Sequence, residues 1–372
     1  MKTILIVLGT RPEAIKLVPV ILELRKSSNY NVLLCNTEQQ KELSNQTLNF
    51  FGIKADYNLD VMLPNQNLIK LQTRILHELA KVFINNKIDA TIVQGDTMTA
   101  FCGGLASFYN KVPVFHVEAG LRSYDLLEPF PEEAMRQMLS RVTDLHFAPT
   151  QSAFNALLKE NIDKGKIAVT GNTVIDALSC LPEETLKQAK GFLFQKGIRF
   201  DDRLVLITVH RRENHGERLD RILSSVKLLT EKYADHQFIL PVHPNPNVKG
   251  KVCQVLGKKD NVILTEPLDY PELVCLMKNA KLILTDSGGI QEEAPTFGTP
   301  ILVMRYETER TEGIEAGFAK LVGADAEKII FEVSAILDKN KSVTRLDGSK
   351  NPYGDGKAAK KIAEQIKCYL QE

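Results

Sequence analysis

Short continuous apolar runs, each cut off by small or polar residues and followed by a helical pattern, recur along the whole chain. No other feature narrows the fold as much. The first is Ile4-Leu5-Ile6-Val7-Leu8. An uninterrupted apolar run of strand length suits a strand covered on both faces. Gly9-Thr10 breaks it, Pro12 sits where the first helical turn tolerates proline, and Glu13 shares that turn. Apolar residues then return at helical spacing at Ile15, Val18, Ile21, Leu22 and Leu24. Strand, tight turn and helix open a βαβ unit.

The unit repeats. Val32 to Cys35 reads as a strand, Leu68 to Phe83 as an amphipathic helix, and Ala90 to Val93 as a strand ending at Gln94-Gly95-Asp96. A helix runs through Ala106, and a strand over Val112 to Val117 ends at Glu118-Ala119-Gly120. After a loop to Pro131, a helix starts near Glu132, and Asp144 to Ala148 and Ile167 to Val169 are short strands. Gly171 to Asp202, helical but weakly apolar, marks a boundary. The alternation restarts with strands over Leu204 to Thr208, Gln237 to Pro241, Val262 to Thr265, Leu282 to Thr285 and Ile301 to Val303. A final helix runs from about Gly356 to Leu370. This order predicts an α/β fold of two doubly wound parallel-sheet halves in tandem.

A chain of 372 residues accommodates two such halves. Lys and Arg number 47 against 46 Asp and Glu, so the net charge of +1 excludes a strongly basic nucleic-acid binder and an acidic, solvating chain. No apolar run approaches the roughly 20 residues of a membrane span, and the first run is too short for a secretory leader, so no membrane association and a cytoplasmic location are expected. The six cysteines are scattered without a CxxC pair and read as reduced thiols. The histidines lack HxH or HExxH spacing, so no metal site is expected.

Ligands of open parallel sheets bind beyond the carboxyl ends of the strands. That rule selects Arg11, Lys16, Asp96, Glu118 and the helix start Glu132–Arg136 in the first half. In the second it selects His210-Arg211-Arg212-Glu213, His243, Ser287-Gly288-Gly289 and Glu292-Glu293. Gly9-Thr10-Arg11-Pro12-Glu13 is neither GxGxxG nor a GxxxxGK[ST] loop; it is either a plain turn or an anion site at a helix start. Thr285 to Gly289 offers backbone N–H groups to a phosphate, or simply an N-cap by Asp286 or Ser287. Asp96, Glu118 and Glu132 suit general acid–base work, with helix capping the alternative for Asp96 and Glu132. His210 with two arginines concentrates positive charge suited to a diphosphate. Arg305 and Arg310 fit surface ion pairs.

Taken together, these motifs carry a resemblance. Gly9-Thr10-Arg11-Pro12-Glu13-Ala14-Ile15-Lys16, Gly95-Asp96-Thr97, His116-Val117-Glu118-Ala119-Gly120-Leu121-Arg122, Pro131-Glu132-Glu133, Thr170-Gly171-Asn172-Thr173-Val174-Ile175-Asp176, His210-Arg211-Arg212-Glu213-Asn214, Asp286 to Pro295 and Asn351-Pro352-Tyr353-Gly354-Asp355-Gly356 occur in order along the chain. They resemble the bacterial non-hydrolysing UDP-N-acetylglucosamine 2-epimerases. The resemblance implies the GT-B architecture: Rossmann-like domains over 1–170 and 171–355, a cleft between them that closes on the nucleotide, and a closing helix over 356–372 that packs back on the first domain. It implies a homodimer, a UDP-sugar substrate and a role in polysaccharide biosynthesis.

The implied reaction is reversible inversion at C2 of UDP-N-acetylglucosamine, giving UDP-N-acetylmannosamine. The C2 proton is not next to a carbonyl, so direct deprotonation lacks a stabilised carbanion. No GxGxxG is present for a nicotinamide, so no cofactor is expected. Elimination of UDP to 2-acetamidoglucal, then re-addition with protonation of the opposite face, is the family's route. By position, Asp96, Glu118 and Glu132 match the acid–base carboxylates and His210 the histidine near the diphosphate. Arg11, Lys16, Arg136, His243, Leu273, Ser287, Gly288, Gly289, Glu293 and Arg310 match nucleotide- and diphosphate-binding positions, with Glu293 on the ribose hydroxyls.

The chain departs from the family pattern at Gln94, often His; Met135, usually Asn; Thr311, commonly Pro; and Leu273, aromatic in several members. Many members bind a second UDP-N-acetylglucosamine as activator. The matching positions are Gln39, Gln40, Glu42 and Gln66. The family often has Gln-His-Arg where this chain has Gln39-Gln40-Lys41, which predicts reduced activation. The alternatives are an epimerase of a modified UDP-2-acetamido sugar, a hydrolysing relative, a GT-B glycosyltransferase and a non-catalytic nucleotide-sugar sensor.

Overall fold

The computed structural model describes residues 1–243, 245–338 and 345–371, and of Arg212, Pro246 and Asn247 the backbone only. The chain forms two compact units, Met1–Leu181 with Tyr353–Glu372, and Pro182–Pro352. The sequence had drawn the division at 170/171 and 355/356; the helix Thr173–Cys180 falls in the first unit and packs on Arg11–Arg25.

The first unit holds a seven-stranded sheet of β1 (Lys2–Leu8), β2 (Tyr30–Asn36), β3 (Tyr57–Asn58), β4 (Ala90–Gln94), β5 (Val114–Val117), β6 (Leu145–Ala148) and β7 (Ile167–Val169). Its order is β3-β2-β1-β4-β5-β6-β7, and every pairing is parallel. Ile4 to Leu8 are fully buried, as a strand covered on both faces requires. Leu5 and Val7 join a core with Ile75, Leu79, Cys102 and Leu139 from the helices Leu68–Asn85, Met98–Tyr109 and Glu132–Val142.

The closing helix, Ala358–Gln371, packs on Arg11–Arg25 and Thr173–Cys180. Its docking has a local cause. The buried Asp176 carboxylate accepts the N–H groups of Ala358 at 3.2 Å and Ala359 at 2.9 Å, donors that a helix start otherwise leaves unsatisfied. Tyr369 lies edge-on to Phe115 with ring centroids 5.1 Å apart.

The second unit repeats the plan with six strands: β8 (Leu204–Thr208), β9 (Gln237–Pro241), β10 (Val262–Thr265), β11 (Leu282–Thr285), β12 (Ile301–Val303) and β13 (Ala319–Leu321). The order is β10-β9-β8-β11-β12-β13, again all parallel. Both sheets are thus doubly wound about their first strand, with the strand order reversing between first and fourth. That is the switch point where such sheets bind ligands. Among the described residues, no helix is long and apolar enough to cross a membrane.

Candidate active site

In the first unit the site is built from the turns after β1, β4 and β5. Thr10 caps the helix Arg11–Arg25 in a capping box with Glu13, with Pro12 in the first turn. Gly9 is required by packing: a Cβ there would lie 2.0 Å from Thr37 Oγ1 and 2.6 Å from Thr99 Oγ1. One helical turn on, Lys16 donates to both oxygens of Glu118, at 2.6 and 2.7 Å. The pair is largely desolvated, which raises both its strength and the cost of breaking it. Gln94 also donates its amide to Glu118 Oε2.

Glu118 has a φ of +62°, a left-handed backbone that a β-carbon disfavours. Two residues on, Gly120 has φ +93°, and a Cβ there would lie 2.3 Å from the Ala153 carbonyl oxygen. The Ala153 carbonyl and Leu157 occupy the space a side chain at Gly120 would need. Strain of this kind persists where neighbouring structure over-determines it, and it collects at functional sites.

Asp96 does not cap the helix after β4; Thr97 does, accepting from Ala100 N at 3.0 Å. Asp96 instead accepts from Arg136 Nε at 2.7 Å, and Arg136 Nη1 also reaches Glu133 at 3.1 Å. Glu133 is fully buried and holds the loop ahead of its helix, accepting from Ser123 N and Tyr124 N. Glu132 makes no capping bond, and its Oε2 is buried without a partner among the described residues. His116 Nε2 lies 2.7 Å from the Gly95 carbonyl, so Nε2 carries the proton. Burial pushes this histidine down to about 4, leaving it neutral.

The turn after β2 meets the turn after β1. Gln40 Oε1 accepts from Arg11 N at 3.1 Å, and Gln39 Oε1 accepts from Thr99 N and Oγ1 at 3.2 and 2.8 Å. Glu42 is exposed on the following helix. Gln66 lies in the loop before Leu68–Asn85, accepting from Leu63 N at 2.7 Å.

In the second unit the turns after β8 and β11 are joined by one carboxylate. Asp286 is fully buried. It accepts from His210 N, Arg211 N and Asn214 Nδ2, and its Oδ1 lies 2.9 Å from His210 Nδ1. Burial pushes Asp286 upward, but its bond and charge interaction with His210 and the backbone donors outweigh this and hold it below the usual carboxylate range. Neither Asp286 nor Ser287 caps the short helix Gly288–Glu293; Ser287 N donates to Thr285 Oγ1. The His243 ring stacks on that of His210 with centroids 6.2 Å apart, and burial, then its histidine neighbours, lowers its basicity.

Arg310 bonds Glu292 at 3.0 Å and pairs with Glu309, and its guanidinium lies against Gly288, where a Cβ would sit 3.1 Å from Cζ. Glu293 approaches Gly289 across one turn, its Oε1 3.5 Å from the place of a Cβ there. Leu273 is half-buried on the helix Tyr270–Asn279. Arg305 pairs with Glu213 and Glu309. Arg211 Nε is buried without a partner among the described residues, and the side chain of Arg212 lies outside them.

Sequence reasoning missed the working partners. Glu13, Glu133, Gln94, Asp286 and Asn214 organise the candidate residues. Their only sequence signal is that all five stand within or beside the motifs at strand ends.

Both units are doubly wound α/β sheets, one with cation-paired carboxylates at its strand ends and the other with a histidine–aspartate pair beside arginines, the class of fold whose ligands bind at those ends. A family model described as UDP-N-acetylglucosamine 2-epimerase matches residues 22–367. A UDP-N-acetylglucosamine 2-epimerase of Neisseria meningitidis is 45% identical over 98% of each chain. A crystal structure of such an enzyme from Neisseria meningitidis bound to UDP-GlcNAc superposes with a TM-score of 0.88 at 44% identity, covering 99% of this chain and 100% of that one. The Methanocaldococcus jannaschii enzyme in complex with UDP-GlcNAc and UDP matches with a TM-score of 0.80 at 35% identity, over 99% of this chain and 100% of its own. The chain belongs to the UDP-N-acetylglucosamine 2-epimerase family, with its two-domain GT-B-like fold.

Proposed function

We propose that this protein interconverts UDP-N-acetylglucosamine and UDP-N-acetylmannosamine by elimination and re-addition of UDP. The observation that carries the reading is Glu118, a nearly buried carboxylate fixed by Lys16 and Gln94 on a left-handed backbone at a strand end. In the forward direction a carboxylate takes the C2 proton, the C1–oxygen bond breaks, and UDP leaves with its electron pair, giving 2-acetamidoglucal. In return, a carboxylate protonates C2 on the opposite face and a diphosphate oxygen bonds C1. Asp96, Glu118 and Glu132 share these proton transfers.

His210, steadied by Asp286, faces the leaving diphosphate, with Arg11, Lys16 and Arg136 supplying further positive charge. Arg211 Nε, buried without a partner among the described residues, supports an anion at this strand end. His243, Leu273, Ser287, Gly288, Gly289, Glu293 and Arg310 hold the nucleotide, with Glu293 on the ribose. We read the protein as a cytoplasmic homodimer; light scattering on the eluted protein checks this, with twice the 41.6 kDa of one chain expected. Activation by a second UDP-N-acetylglucosamine is weak in this reading, because the side-chain oxygens of Gln39 and Gln40 are already bonded to Thr99 and Arg11. Rates of UDP-N-acetylmannosamine conversion with and without added UDP-N-acetylglucosamine test it; strong activation counts against it.

Proton NMR with UDP-N-acetylglucosamine in D2O, without nicotinamide, tests the main reading. The expected result is a mixture with UDP-N-acetylmannosamine carrying deuterium at C2. An unchanged spectrum transfers the assignment to a modified UDP-sugar, and release of UDP with free sugar to a hydrolysing enzyme.

A further inference from the structure

Glu13 is a carboxylate sealed from solvent, with 0% exposure, that takes no part in the reaction described above. Its Oε2 accepts from Gly9 N at 3.0 Å, Thr10 N at 2.8 Å and Thr10 Oγ1 at 2.8 Å. Its Oε1 accepts from Thr97 Oγ1 at 2.6 Å. Thr97 Oγ1 already accepts the N–H of Ala100, so its own hydrogen points at Glu13. Four donors from two segments more than eighty residues apart therefore converge on one side chain. One segment carries Arg11 and the other carries Asp96.

A capping box alone does not need this arrangement. Its Glu ordinarily sits at the surface and bonds only the cap residue's N–H. Here the carboxylate is buried, at a desolvation cost that pushes it up to about 7, and it reaches a second turn. The Gly9 turn lies tight against Thr37 and against Thr99, on the helix that follows Asp96, so the two turns are packed closely enough for a single hydroxyl to join them.

We propose that Glu13 is a positioning residue that locks the Asp96 turn to the Arg11 turn through the Thr97 hydroxyl, and so fixes Asp96 for proton transfer. The proposal rests on the acid–base reading of Asp96. The glutamine variant isolates the link. Its one carbonyl oxygen is claimed by the donors of Gly9 and Thr10, so its amide N–H faces Thr97 Oγ1, and the short charge-assisted O–H···O bond gives way to a longer, neutral N–H···O bond of reversed direction. The Arg11 turn is kept, and the Asp96 turn shifts by the difference in bond length, a few tenths of an ångström by the ~2.6 and ~2.9 Å typical of the two bonds.

The test is steady-state kinetics of full-length Glu13→Gln, Thr97→Val, Thr97→Ser, the Glu13→Gln/Thr97→Val double variant and Asp96→Asn with UDP-N-acetylglucosamine. Misplacing a reacting group by a fraction of an ångström to 1 Å costs about 10- to 100-fold in rate. We expect kcat of Glu13→Gln to fall by about that much with KM within about two-fold. Thr97→Val should lose a similar amount, the double variant no more than the worse single one, and Thr97→Ser should recover most of what Thr97→Val loses. A Glu13→Gln enzyme with native kcat overturns the proposal, as does a loss confined to KM or an additive double variant. If Glu13→Gln does not fold, the Thr97 pair decides: a Thr97→Val enzyme with native kcat, or a Thr97→Ser enzyme as slow as it, overturns the link. Full activity in Asp96→Asn instead sinks the acid–base reading, so the two failures are distinguishable.

Discussion

The two units wind their sheets in the same order, yet they treat negative charge at the strand ends in opposite ways. In the first, Glu118 and Asp96 stand at the ends of β5 and β4, each held by a cation from another element, Lys16 and Arg136. In the second, Asp286 is withdrawn from solvent beneath His210 and collects donors from three residues of one turn. The first arrangement leaves carboxylates as the groups that can meet a substrate proton. The second hides the carboxylate and presents the histidine. One scaffold therefore presents cation-paired carboxylates at one sheet and a histidine backed by a carboxylate at the other, the difference on which the proposed proton transfer and diphosphate binding rest.

The sharpest way to break this contrast is to neutralise one carboxylate of each kind. Glu118→Gln removes a proton-transfer group and leaves the largely desolvated Lys16 ammonium without its counter-charge, so kcat should fall by about 10²- to 10⁴-fold and the unfolding transition should fall as well. Asp286→Ala should do the reverse in emphasis. It leaves His210 N, Arg211 N and Asn214 Nδ2 without their acceptor and takes away the partner of His210 Nδ1. Removing one partner of a buried, hydrogen-bonded charge costs about 3–5 kcal/mol, read as a lower urea midpoint. Equal losses of kcat in the two variants would erase the distinction.

These partnerships were the least legible part of the sequence. The apolar runs announced the main strands because a strand covered on both faces must be apolar throughout. The two-residue β3 and three-residue β13 gave no such signal, being too short to carry a pattern and half-exposed. The helix Lys41–Phe50 was equally silent, with only Ser44, Thr47 and Leu48 buried. Periodicity reports which face a side chain takes, never its partner, so Lys16–Glu118 and Asp96–Arg136 were invisible although all four residues had been singled out. Capping was misassigned for a related reason. Thr10, Thr97, Thr150 and Asn172 make the side-chain caps after β1, β4, β6 and β7, which leaves Asp96 for other work, and the short helix after β11 has no side-chain cap bond, so Asp286 is turned to the His210 turn.

A pH comparison sharpens the contrast between buried carboxylates. Asp286 is held below the ordinary range, so its contribution to stability is present above its unfolded value near 3.8 and is lost as pH falls through its folded value. Glu13 has the opposite sign. Burial raises it from 4.5 to about 7, so the folded state binds more protons than the unfolded one across that window, and stability drains away as pH rises through it. His116 and His146, lowered by burial to about 4 and about 3, work against Glu13 by losing stability as pH falls below about 6.5. The difference between native protein and Glu13→Gln removes the histidine contribution. The variant should gain on the native protein between pH 4.5 and 7 by at most about 3 kcal/mol. A pH-independent difference would mean that Glu13 does not titrate there.

The smallest effect concerns the one element that the first unit recruits from the end of the chain. Helix Ala358–Gln371 is amphipathic, burying Ala358, Ala359, Ile362 and Ile366. At its start Asp355 accepts from Lys357 N at 3.1 Å, and Asp176, from a helix that packs beside it, supplies the acceptor for Ala358 and Ala359. Asp176→Ala leaves two buried N–H groups without a partner at a cost of about 1–3 kcal/mol. Because the apolar face remains, the unit should stay folded while the last helix opens more often. Amide hydrogen exchange over 358–371 should speed up, with the strands β1 and β4 unchanged and kcat close to native. Exchange accelerated evenly across the first unit would show instead that the closing helix and the sheet open as one body, with no hierarchy between a core and its latest-arriving layer.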